Sequence, residues 1–113
     1  MASEVTVAFP VLPGKRETLF AFAAALQGER KAEYEQSQTS VTRESWFLQP
    51  TANGDLLLVH FAAPDPASVF LALGESQEPF DIWFRAQALE ITGIDLTQSI
   101  GGLPEQVLHF TKG

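Results

Sequence analysis

Cysteine is absent from this chain, and histidine, lysine and arginine are scarce. Without a thiol there is no disulfide, no thiolate nucleophile and no Cys–metal site. The two histidines, His60 and His109, lie far apart in sequence, so a metal centre would need carboxylates brought in by the fold. No metal and no cofactor are expected. Seven Lys and Arg stand against fourteen Asp and Glu, a formal charge of −7. That excess repels phosphate backbones and anionic lipid. The densest basic pair, Arg30-Lys31, is flanked by Glu29 and Glu33, so no basic stripe offsets it. Nucleic-acid and membrane partners are therefore not expected. There is no apolar run of about 18 residues to cross a bilayer. Met1-Ala2-Ser3-Glu4 lacks the basic and apolar regions of a secretion signal, so a cytoplasmic location is expected. A Gly-rich phosphate loop and a Gly-x-Ser-x-Gly nucleophile turn are also missing.

What is present is apolar and aromatic: 45% of the 113 residues are hydrophobic, with nine Phe and two Trp. That suits one folded domain spanning residues 1–113. Val5, Val7 and Phe9 alternate with small or polar residues and predict a first strand, ended by Pro10 and Pro13-Gly14. Leu19, Phe22, Ala23 and Leu26 fall on one face of a helix. Gly28 interrupts it, and the polar stretch 29–38 leaves open whether one helix continues. Residues 41–49 and 56–62 predict the second and third strands around an Asn53-Gly54 hairpin turn. Asp65-Pro66 opens a helix carrying Val69, Phe70 and Leu73, with Gly74 as its stop. Pro79 opens another, with Phe80, Trp83, Phe84, Gln87 and Ile91 on one face and Gly93 at its end. Gln106 to Phe110 reads as a fourth strand. The fold class is thus α+β, in ferredoxin-like βαββαβ order, with an antiparallel sheet and its helices on one face.

The strands bear on assembly. Leu56-Leu57-Leu58-Val59 and Trp46-Phe47-Leu48 are unbroken apolar runs, whereas a sheet with one wet face alternates. Both faces need cover, and a second copy of the sheet is the simplest cover, so a homodimer is expected. With Asn53-Gly54 as a two-residue turn, Ala52 would face Asp55. Phe47 would then face His60, Gln49 face Leu58 and Ser45 face Ala62. Leu48–Val59 and Trp46–Phe61 would share the opposite, core face. A one-residue slip would exchange the faces.

This order resembles the dimeric α/β-barrel superfamily of ferredoxin-like proteins over residues 4–110. That superfamily includes the antibiotic-biosynthesis-monooxygenase-like, EthD-like and mutarotase-like groups. Two segments carry the likeness to uncharacterised bacterial members: Arg43-Glu44-Ser45-Trp46-Phe47 and Pro79-Phe80-Asp81-Ile82-Trp83-Phe84. The resemblance implies two sheets face to face, with a pocket between each sheet and its helices or inside the barrel. The helical histidines of the mutarotase and haem-handling relatives have no counterpart here.

The mixed face holds the candidate site residues. His60 suits a general acid or base, or a satisfied interface histidine. Arg43 suits a clamp on a substrate carboxylate, or a salt bridge. Ser45, Phe47 and Gln49 would line a ligand pocket on the same face. Tyr34 suits a pocket mouth or simple packing, and Trp83 a stacking surface or core. Asp81, Glu78 and Glu75 read as a solvated helix start. The first functional reading is a homodimer binding a small molecule at that face. The alternatives are a cofactor-independent oxygenase or isomerase acting on a planar or cyclic substrate, and a structural interaction module without catalysis.

Overall fold

The computed structural model describes residues 3–98 and 100–113. Three strands and four helices follow in the order β1 (Ser3–Val11), α1 (Arg16–Gln27), α2 (Lys31–Ser37), β2 (Arg43–Thr51), β3 (Gly54–Ala63), α3 (Pro66–Glu75) and α4 (Pro79–Thr92). The strands form one antiparallel sheet in the order β1-β3-β2. Val7, Phe9, Leu57, Val59 and Phe61 project from one side of it into a core shared with Leu19, Phe22, Leu73, Phe84 and Ile91 of the helices. The helices therefore form a single layer on that inner side. The α+β class and the antiparallel sheet agree with the sequence.

Gly28 does break the first helix. Its N–H bonds back to the Ala25 carbonyl (3.3 Å), as does that of Arg30 (2.8 Å), and α2 starts afresh at Lys31. Pro66 and Pro79 stand at helix starts, where a missing N–H costs nothing. The Asp65 side chain makes no capping bond; the Ser68 hydroxyl donates to the Asp65 carbonyl instead (2.7 Å). Gly93 ends α4 in the left-handed region (φ 75°), as expected. Gly74 is not the stop of α3. The helix runs on to Glu75, and Gly74 lies so close to the Leu96 carbonyl oxygen that any Cβ there would collide with it.

The hairpin register differs from the sequence reading by two residues. Thr51 pairs with Gly54, so the loop is Ala52-Asn53, and Phe47 faces Leu58, Ser45 faces His60 and Gln49 faces Leu56. A mirror-type turn centred on Asn53-Gly54 needs positive φ at both residues. Here Asn53 does not adopt it, and Gly54 uses its positive φ (121°) as the first residue of β3. The Thr51 hydroxyl closes the loop, accepting from the Asn53 N–H (3.1 Å) and donating to the Gly54 carbonyl (2.6 Å). Because side chains alternate with period two, an even offset changes every partner and keeps every face. Trp46 and Leu48 still point to the helices, now opposite Val59 and Leu57.

The expected fourth strand is a correction. Residues 106–110 form no strand, and Val107, Leu108 and Phe110 are 96%, 78% and 77% exposed. Ile100, Gly102 and Pro104 lie across a groove from Val7, Ala8, Phe9 and Pro10, so the chain does not zip onto the free side of β1. Pro10 and Pro104 have no N–H to give to such a ladder. Ile100 and Leu103 pack against the core; the tail beyond them carries its apolar side chains outside it.

Candidate functional site

The outer face of the sheet carries five of the expected residues, and in the order the strand parity dictates. Arg43, Ser45, Phe47 and Gln49 of β2 lie beside Ala62, His60, Leu58 and Leu56 of β3, with Glu4, Thr6, Ala8 and Pro10 of β1 on the far side. The face divides along its length. At one end Arg43 donates to Glu4, His60 Nε2 lies 3.3 Å from Glu4 Oε1, and His60 Nδ1 lies 2.8 Å from the Thr6 hydroxyl. The Arg43 hydrogen bond, followed by that of His60, holds the Glu4 carboxyl below its ordinary range. At the hairpin end Phe47 (57% exposed), Leu56, Leu58, Ala8 and Pro10 make an apolar patch. Gln49 turns its amide to the Pro50 carbonyl (2.9 Å). Arg43 is thus engaged by Glu4, and both ring nitrogens of His60 have partners. The arrangement is an intrachain network of hydrogen bonds and ion pairs across the outer face.

The structure does not bring Tyr34 or Trp83 to this face. Trp83 belongs to the helix layer, where the Arg30 guanidinium sits 3.9 Å over its ring and Phe22 and Phe80 flank it at 5.4 and 5.5 Å. It is half-buried, with one face of its ring covered by Arg30.

Tyr34 lines a cavity of about 70 Å³ between the sheet and the helices. On a comparable measure one water needs only ~10–15 Å³. The walls are mainly apolar, among them Phe22, Leu57, Val59, Phe61 and Phe84. Its polar groups include Tyr34, Gln38 and Glu44. Glu44 is the residue that the sequence reading missed. It alternates in phase with Trp46 and Leu48, so its carboxylate turns inward. It accepts from the Tyr34 hydroxyl through Oε1 (2.5 Å) and from the Trp46 indole N–H through Oε2 (2.7 Å). Tyr34 in turn stacks on Phe84 at 5.8 Å, with only 9° between the rings.

Burial, and next the Glu44 charge beside it, push the Tyr34 hydroxyl above the ordinary tyrosine range. It is therefore the donor and Glu44 the acceptor. Tyr34 is the only tyrosine in the chain, so tyrosinate absorbance at 295 nm reports on it alone. Below its ordinary pKa of 10.0 it is neutral both folded and unfolded. Above that, the unfolded chain ionises and the folded one resists. This group's stabilising contribution is thus lost as pH rises, by about 1.4 kcal/mol per pH unit. We expect no tyrosinate signal until the protein unfolds in alkali. A titration midpoint near 10 with native circular dichroism intact would contradict the buried Tyr34–Glu44 bond.

Asp81 corrects a second expectation. It is buried, not solvated, and accepts from the hydroxyls of Ser37 and Ser76 (2.6 Å for the latter). Arg85 of the same helix donates to the Leu73 and Ser76 carbonyls (2.7 and 2.8 Å), closing the end of α3. Among the described residues no three His, Asp or Glu side chains are grouped to hold a metal ion, and no helix is long and apolar enough to cross a membrane. Comparison with protein-family models and with curated proteins found no match.

Proposed function

We propose that this protein is a homodimer that binds a small molecule in the cavity between its sheet and helices. The observation that carries the reading is the cavity itself, with one polar end built into apolar walls. Left empty, a void of this volume costs about 1.5–2 kcal/mol, a cost that packing alone does not explain. Few convergent polar groups in an apolar chamber are what ligand sites use.

The dimer is supported by two apolar surfaces that the single chain leaves bare: the hairpin end of the outer sheet face, and the tail at Val107, Leu108 and Phe110. A second copy stacked on the outer face by a two-fold axis covers the first, and its approach gives the second a neighbour. The Glu4–Arg43–His60–Thr6 network then lies between the sheets, where it fixes orientation. This agrees with the resemblance to dimeric α/β barrels.

Xenon tests the cavity without presupposing a ligand. Crystals of the assembled protein, pressurised with xenon, should show one atom site per chain between Phe22, Val59 and Phe84. No xenon there would overturn the binding reading.

A further inference from the structure

We infer that segment 106–110 of each copy completes the sheet of the other, adding as a fourth strand along the free side of β1. This rests on the homodimer reading and names the element that the two copies exchange.

The fold leaves that place open. β1 and β3 run antiparallel, and the helices lie on one side of the sheet. With that layout, a right-handed crossover from β1 passes β3 to reach β2, and one from β3 goes the opposite way, past β1. The chain after α4 does travel to that side, where Ile94, Ile100, Gly102 and Pro104 border β1. It stops short of pairing and leaves a groove of about 410 Å³, with Val7 and Phe9 on one wall and Ile94 and Ile100 on the other. Among the described residues β1 pairs with β3 alone. A nine-residue edge strand is a template for another strand.

The segment that suits the place lies elsewhere in the single chain. Extended, it sets Leu108 and Phe110 on one side and Val107 and His109 on the other. With Leu108 and Phe110 turned inward, it fills the groove beside Val7 and Phe9. Within one chain it has already left: Pro104 stands on the far wall of the groove, and residues 105–113 are all exposed. The radius of gyration, 14.5 Å, exceeds the ~13 Å of a compact domain near this length. Gly101, at φ 86°, and Gly102 form a hinge before the segment. A copy stacked on the outer face is within reach. Leu103 to Leu108 spans about 17 Å when extended, against about 10 Å between stacked sheets. Exchange of an identical element is a low-cost route to a dimer.

The chain has no cysteine, so Lys112→Cys carries a single nitroxide just beyond the segment. Two NMR samples are co-refolded from urea to give mixed dimers. In the first, isotope-labelled wild-type chains meet an excess of unlabelled nitroxide-bearing chains. In the second, isotope-labelled nitroxide-bearing chains are diluted in unlabelled wild type. Amide signals of β1 should be lost in the first sample and kept in the second. Leu108→Ser should raise the dimer dissociation constant ~10-fold or more in sedimentation. Loss of the β1 signals in the second sample alone would place the segment beside its own β1 and overturn the exchange. Loss at β2 instead, no loss in either sample, or an unchanged constant in Leu108→Ser would overturn it too. Each of those results, from a protein that still dimerises, leaves the homodimer reading in place. A wild-type monomer would remove both.

Discussion

Phe22→Ala is expected to lower the stability of the protein by about 3–5 kcal/mol, enough to unfold much of a domain with roughly 5–15 kcal/mol in hand. Phe22 is the hub of the aromatic core. Its ring lies 5.6 Å from Trp46, 5.4 Å from Trp83 and 5.0 Å from Phe84, so it joins the sheet to α1 and α4. Truncation enlarges the existing cavity and strands three aromatic neighbours. Phe20, two residues earlier on the same helix, is 56% exposed. Phe20→Ala should change stability by no more than ~0.5 kcal/mol. Urea denaturation of both variants checks the contrast. Equal effects would mean that α1 is docked by a different face.

Leu58→Asp should turn the proposed dimer into a monomer. Leu58 sits mid-face between Ala8 and Phe47 in the ladder, and a two-fold interface carries every substitution twice. A carboxylate buried there without a partner costs several kcal/mol. The dissociation constant should therefore rise ~100-fold or more, while the inner core is untouched. Sedimentation velocity over a dilution series measures this, with urea denaturation as the check on folding. Wild-type protein that sediments as a monomer throughout the series would remove the dimer proposal outright.

The sequence carried the inner and outer faces of the strands because alternation is a local property, robust to any even slip in pairing. It did not carry the partners. Asn53-Gly54 looks like a turn centre by composition, and only the backbone shows that Gly54 is needed one step later, at the start of β3. The helix boundaries at Gly28, Pro66, Pro79 and Gly93 were legible because proline and glycine act on their own residue. The fourth strand was not: a strand needs a neighbour, and composition at 106–110 says nothing of whether one is within reach. Five site residues were correctly placed on one face, yet that face proved to be internally satisfied. The inward-turned acid, Glu44, was readable from parity alone. It stands in phase with Trp46 and Leu48, where an acid is out of place. Asp81 was hidden for another reason: its two serine partners come from other segments, and no spacing rule links them.

That buried Asp81 has a remote effect. Ser37 ends the short helix that carries Tyr34, while Ser76 follows α3, and both hydroxyls converge on one carboxylate near the start of α4. The aim of the phenol at Glu44 is therefore set partly by a side chain outside the chamber wall. Loosening that anchor would let the short helix drift and blur the polar end without altering any atom that lines it.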